Sequence, residues 1–224
     1  FDTGDAELGV MNIGAVTSGG FGLTLDSGSN ADGGEMTLVS MVDGRGGLTI
    51  RDAGGGAAAS IGAIGASTST DGVITITDSS GGVTFTGNVD ATTLTITDTT
   101  DTKVITFAQG GDVDIATSFD TANQGYAVTI NSSTFDAAGD TDFLNTGTVI
   151  LGNTAGSTPD VLTFAGGLAT TGNTSSNPSL VNAAGTIKTT GTQMDIGAVT
   201  LTAATTFDTG DAELGVMNIG AVTS

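Results

Sequence analysis

The side chains best able to do chemistry in this chain are carboxylates carried on glycine-rich loops. Asp26-Ser-Gly-Ser-Asn30-Ala-Asp32-Gly-Gly-Glu35 places four oxygen ligands, Asp26, Asn30, Asp32 and Glu35, close together in the chain. Hard oxygen donors on a pliable loop suit Ca2+. The segment is not an EF-hand, because Gly33 and Glu35 stand at the wrong spacing. Asp2, Asp5 and Glu7 form a similar cluster, and so do Asp136, Asp140 and Asp142. The Gly-Gly-x-Gly-x-Asp nonapeptide of calcium-binding RTX coils is absent. A plainer reading of the same residues is that Asp and Asn shape turns and keep loops solvated.

Catalysis has little to draw on. There is no His and no Cys, which removes the commonest general base and the thiolate nucleophile. Carboxylate pairs remain, and β-helix enzymes that cleave polysaccharides use such pairs. Those sites also need cationic or aromatic groups to hold a sugar, and here there is no Trp and a single Tyr, Tyr126. The sequence therefore predicts a non-catalytic protein. The net charge is −20, with only Arg45, Arg51, Lys103 and Lys188 as cations. Nucleic-acid binding requires a cationic surface that displaces counterions, so no nucleic acid is expected as a partner, and anionic membrane surfaces are excluded on the same ground. Apolar runs fall far short of a membrane span, so no membrane insertion is expected in this segment. Disulfides are impossible without Cys.

These carboxylates must be positioned by β structure. Gly is 37 of 224 residues, Pro only 2, and hydrophobic residues make up 38%. That apolar share is too high for a disordered chain, and Thr, Val and Ile suit pleated, half-buried surfaces. A triplet with Thr between two apolar residues recurs at Leu23–Leu25, Met36–Leu38, Leu48–Ile50, Ile74–Ile76, Val83–Phe85, Leu94–Ile96, Ile105–Phe107, Val128–Ile130, Leu162–Phe164 and Val199–Leu201. Alternation puts the apolar pair on one face of a strand and the Thr on the other. The triplets recur at multiples of about 12 residues, with turn-forming Gly, Asp, Asn or Ser between them.

Two repeats are superposed on this pattern. Residues 1–18, FDTGDAELGVMNIGAVTS, return without change at residues 207–224, an offset of 206 residues. The organisation read from this is one full tandem repeat over 1–206 and the start of the next identical repeat over 207–224. The shorter period is seen in Met194-Asp-Ile-Gly-Ala-Val-Thr and Met217-Asn-Ile-Gly-Ala-Val-Thr, 23 residues apart. A β-sandwich also spaces its strands by about 8–12 residues. Only a solenoid, however, has reason to place near-copies one coil apart. The predicted fold class is all-β, a parallel β-solenoid (β-helix) of about nine coils of roughly 23 residues per 206-residue repeat, with two strands per coil. Strands stack about 4.8 Å apart, so one repeat would lengthen a fibre by roughly 43 Å. Phe is expected in a narrow core, Gly pairs at corners, and Thr170–Gln193, which holds Pro178, as a protruding loop or loosely stacked coil. Outward Thr at Thr75/Thr77, Thr84/Thr86 and Thr93/Thr95/Thr97 has the alternation of ice-binding solenoids, but the rows recur unevenly along the sequence.

Stretches such as Gly72-Val-Ile-Thr-Ile-Thr-Asp and Thr93-Leu-Thr-Ile-Thr-Asp-Thr-Thr-Asp-Thr-Lys-Val-Ile-Thr-Phe resemble large repetitive bacterial surface proteins, the filamentous-haemagglutinin and autotransporter-like β-helices. The likeness covers most of the chain in texture, without a diagnostic motif. It implies export to the cell surface or beyond, a right-handed parallel β-helix, and a role in adhesion, biofilm or surface layers. It carries no catalytic residue onto this sequence. Two functional expectations follow. One is a structural segment of a long extracellular fibre, sheath or adhesin stalk, with identical repeats head-to-tail and neighbouring fibres as partners. The other is a calcium-dependent adhesive or ligand-binding surface module.

Overall fold

Each of the ten Thr-centred triplets is a β-strand in the computed structural model, with both apolar side chains turned inward. The structure describes residues 1–3, 10–28, 34–43, 45–53, 57–65, 72–153, 159–174, 176–210 and 215–224. Among these there is no helix, and all strand pairs are parallel. The fold is a β-solenoid of about eight turns.

The pairing registers resolve the coil into three faces. On the first lie the leading halves of β1 (Met11–Thr17), β3 (Met36–Val42) and β5 (Ala59–Ile64), then β7 (Val83–Phe85), β9 (Val104–Phe107), β11 (Ala127–Ile130) and β14 (Thr148–Leu151). It ends with the leading halves of β17 (Leu180–Lys188) and β19 (Val199–Asp208), then β21 (Val222–Thr223). The second face takes the trailing halves of β1, β3 and β5, then the leading halves of β8 (Val89–Ile96) and β10 (Asp112–Thr121). It continues through β12 (Thr134–Ala137), β15 (Val161–Phe164) and the trailing halves of β17 and β19. The third face holds β2 (Leu23–Asp26), β4 (Leu48–Arg51), β6 (Val73–Ile76), the trailing halves of β8 and β10, then β13 (Asp140–Asp142), β16 (Gly167–Ala169), β18 (Met194–Ile196) and β20 (Met217–Ile219).

Three strands per coil, not two, is a correction to the sequence reading. Nine of the ten triplets fall on the first and third faces, and only Leu162–Phe164 lies on the second. The second face instead alternates apolar residues with Asp, as in Val89-Asp-Ala, Val113-Asp-Ile and Phe135-Asp-Ala. A search for Thr between apolar residues passes over it. The coil length stands: on the second face Val16 reaches Phe207 in eight steps, or about 24 per step.

Inside, the core is a single cluster running from Met11 to Val199. Six Phe are buried in it: Phe85, Phe107, Phe119, Phe135, Phe143 and Phe164. Phe1 and Phe21 depart from the expectation and are 71% and 79% exposed. Gly82 shows why corner glycines are needed. Its φ is +83°, and an added Cβ would lie 2.4 Å from the Val104 carbonyl of the next coil, so the stack closes there only without a side chain.

Thr170–Gln193 proves more regular than expected. Residues 180–188 form β17, with Val181, Ala183, Ala184 and Ile187 buried. Small residues fill that part of the coil, so its apolar content is easy to underrate in the sequence. The excursion is confined to the turn before β17. There the Asn177 amide donates to the Asn173 carbonyl at 3.0 Å and the Asn173 N–H donates back to the Asn177 side-chain oxygen at 3.2 Å.

Candidate functional site

Outward positions on each strand stack at one-coil intervals, so a residue type repeated at that interval becomes a row. Carboxylates gather at three places on these faces, the first of them an unbroken row. On the second face Asp90, Asp114 and Asp136 occupy one register position on three successive rungs. Beside them Asp112 accepts a hydrogen bond from the Thr134 hydroxyl at 2.8 Å, and its own N–H donates to the Asn88 side chain at 3.1 Å. These groups line an open groove of about 630 Å³. Like charges about 4.8 Å apart repel by roughly 1 kcal/mol per pair in water, so the row costs stability and that cost is screened by salt.

The second row follows the corner after the third face. Arg51 stands between Asp26 at 3.6 Å and Asp52 at 3.5 Å, and Asp78 and Asp98 continue the file on the next coils. Burial raises the pKa of Asp52, and the charges of Asp78 and Asp26 raise it further against the opposing Arg51. A hydrogen bond to the Asp78 carboxylate also favours the protonated form of Asp52. Asp98 is raised by burial and by Asp78 and Asp101, against the Thr99 N–H. Immediately inside this file runs a line of buried hydroxyls. The Ser27 hydroxyl donates to the Asp52 carbonyl at 2.8 Å, that of Ser79 to the Ala53 carbonyl at 2.8 Å, and that of Thr99 to the Ser79 carbonyl.

The third group lies lower on the third face, where Asp140, Asp142, Gln193 and Asp195 line a groove of about 240 Å³. Asn218 donates to Asp195 at 2.6 Å. Burial raises the pKa of Asp142, with Asp140 and Asp195 adding to it.

Of the calcium candidates, Asn30 and Asp32 lie outside the described residues, as do Asp5 and Glu7. Asp26 is engaged by Arg51 and by the Gly28 N–H at 3.1 Å, and the Glu35 carbonyl accepts from the Met11 N–H at 2.8 Å. The other described cluster is divided by a corner: Asp136 faces the second-face groove, and Asp140 and Asp142 the third-face groove. Among the described residues no three His, Cys, Asp or Glu side chains converge to hold a metal ion. Tyr126, the one aromatic hydroxyl a sugar site might have used, is wholly buried. It accepts from the Ala122 N–H at 2.8 Å and donates to the Ile96 carbonyl at 3.2 Å, and burial pushes its pKa up to about 12.

The carboxylate rows are missing from the sequence reading although their signal is present there. Asp90, Asp114 and Asp136 follow one another at close to the coil length, one rung each time. A period sought in apolar residues does not pick out acids. The same holds for hydroxyls: Thr37, Ser60, Thr84, Thr106 and Thr129 follow one another at close to the coil length and stack in one unbroken first-face row.

Set against known protein families, curated proteins and solved structures, the chain has no match. No helix among the described residues is long and apolar enough to cross a membrane.

Proposed function

We propose that this chain is a non-catalytic structural segment of a long extracellular or cell-surface fibre, sheath or adhesin stalk built from identical 206-residue repeats. The observation that carries this reading is how the second copy of the duplicated segment is held. Phe207–Asp208 pairs with Ile187–Lys188, Met217–Ile219 with Met194–Ile196, and Val222–Thr223 with Val199–Thr200. The described strands of the second copy thus continue the ladder of the coil before it. Val216, Met217 and Val222 are exposed at that end, and Phe1 and Val10 at the other. Parallel rungs with open backbone groups and apolar side chains are surfaces on which a further coil adds. Such a fibre resists extension through its continuous main-chain hydrogen bonds, and the acidic rows keep neighbouring fibres apart at low salt.

A chain of several tandem copies, viewed by electron microscopy and fibre diffraction, tests the proposal. The expected result is unbranched fibres with a reflection near 4.8 Å along the axis. Separate globules, or loss of that reflection, would count against it. The calcium-dependent alternative has only the charge of the Asp90–Asp114–Asp136 row to draw on, since among the described residues no three carboxylates converge on one ion. A chelator that leaves melting temperature and fibre morphology unchanged removes that alternative.

A further inference from the structure

The two copies of FDTGDAELGVMNIGAVTS do not occupy the same faces of the solenoid. In the first copy Asp2 bridges to Asp26 on the third face. Met11–Ile13 then pairs with Met36–Leu38 on the first face, and Ala15–Thr17 with Ser40–Val42 on the second. In the second copy Phe207–Asp208 is on the second face, Met217–Ile219 on the third and Val222–Thr223 on the first. Each described part of the segment sits one face earlier. From Met11 on the first face of its coil to Met217 on the third face, the chain makes eight turns and two-thirds of another. The coil length agrees with this. Val16 to Phe207 on the second face is eight whole turns, and the 15 residues from Phe207 to Val222 (222 − 207) that complete the repeat offset fall short of a ninth.

The segment bends at the same residue in both places, since Gly14 and Gly220 each separate the Met-Asn-Ile rung from the Ala-Val-Thr rung. The related Met194–Thr200 turns its corner at Gly197 and buries Met194, Ile196 and Val199. Local conformation and inward parity are therefore kept while the face changes. This requires only that the three faces be interchangeable for a strand of three residues, which parallel in-register stacking allows.

We propose that successive repeats in the array are rotated by one-third of a turn, so that the fibre has threefold screw character and closes on itself after three repeats and 26 turns. This inference rests on the tandem-array reading and deepens it: the surface on which each copy docks is the terminal rung of another copy, met one face round. Each repeat advances about 42 Å and the true axial period is about 125 Å, taking about 4.8 Å per turn. The consequence for recognition is that no side of the fibre is privileged. The aspartate row of Asp90, Asp114 and Asp136 faces each of three directions in turn, and a neighbouring fibre or multivalent cation meets it from any side.

Helical reconstruction by electron cryo-microscopy of a chain of at least three tandem copies, at a resolution that separates the rungs, tests this. The expected density is one continuous ladder with 26 rungs in three copies, and with the stacked Phe85–Phe107 pair shifted one face per copy. A continuous ladder with nine rungs per copy and that pair always on the same face overturns the rotation while leaving the array intact. Copies separated by gaps in the ladder overturn both. A lower-resolution measurement reads the same geometry: Asp114→Cys in each copy creates the only thiols in a chain without Cys, at an exposed position. Gold labels on these thiols should spiral around the fibre, and labels aligned along one side would defeat the proposal.

Discussion

The coils around Phe85–Phe164 and those that precede them solve the same packing problem with different side chains. In the middle coils Phe85 and Phe107 stack with centroids 5.2 Å apart and planes 8° apart, and Phe119 meets Phe135 edge-on at 5.5 Å and Phe143 at 5.8 Å. All three faces contribute rings to one cluster. The earlier coils fill the interior with Met11, Met36, Met41, Leu25, Leu38, Ile50 and Ile61. Ladders of like aliphatic residues match any neighbouring rung. Rings that contact edge-on across the core tie three faces into one arrangement. The middle coils should therefore set the register, and the aliphatic coils should tolerate exchange.

Substitution at Phe119 is the strongest way to break this contrast. Phe119→Ala should cost about 3–5 kcal/mol, because a large buried ring is removed from a site that cannot collapse, and chemical denaturation measures the loss. Met41→Leu in the aliphatic coils should cost under about 1.5 kcal/mol by the same measurement, as volume-conserving exchanges do. Equal costs at the two positions would show that the cores do not differ in this way.

The buried hydroxyl line starts in the aliphatic coils at Ser27 and Ser79 and runs into the aromatic ones at Thr99. Ser79→Ala removes a hydroxyl donor from the carbonyls of Ala53 and Gly82, which keep the N–H groups of Gly81 and Ala59, and should destabilise by about 0.5–1.5 kcal/mol. Amide exchange should quicken at the corner around Ser79 before it does near Phe119.

Acid should help the fold. Asp52, Asp98, Asp142 and Asp160 all have raised pKa values, burial being the first cause in each. Each binds its proton more tightly folded than unfolded, so its contribution is fully present below the ordinary value of 3.8 and is lost as pH rises through the folded value. Melting temperature should thus rise as pH is lowered from neutral towards that range, and a fall would contradict the assignment. A salt-dependent effect is expected on the second face. Asp114→Asn relieves repulsion from Asp90 and from Asp136 and should stabilise by at most about 1 kcal/mol for each of the two at low salt. The gain should fade as sodium chloride is added, and a gain independent of salt would argue against a charge effect.

Much of this was legible in the residues. Alternation told which side chains point inward, as in Leu94-Thr95-Ile96 and Val128-Thr129-Ile130, because the two-residue period of a strand is a local property. The Met194/Met217 recurrence disclosed the coil length. The second face was not legible, since Val113-Asp-Ile and Phe135-Asp-Ala lack the Thr signature. The acidic row of Asp90, Asp114 and Asp136 had its signal in the residues, at close to the coil length, but a period sought in apolar side chains passes over acids. Elsewhere successive steps along a face are unequal: on the first face the step from Val149 to Val181 is far longer than the next, from Val181 to Val199.

By itself the sequence determined parity, coil length and all-β class, which depend on neighbours a few residues apart. Tertiary structure decided which face each strand joins and which carboxylates stand above one another. Corners absorb or release residues between strands, so distance along the chain does not specify register between coils. Met-Asn-Ile-Gly-Ala-Val-Thr demonstrates this, with one sequence on two pairs of faces, because the ladder it joins, and not its own residues, chooses its place.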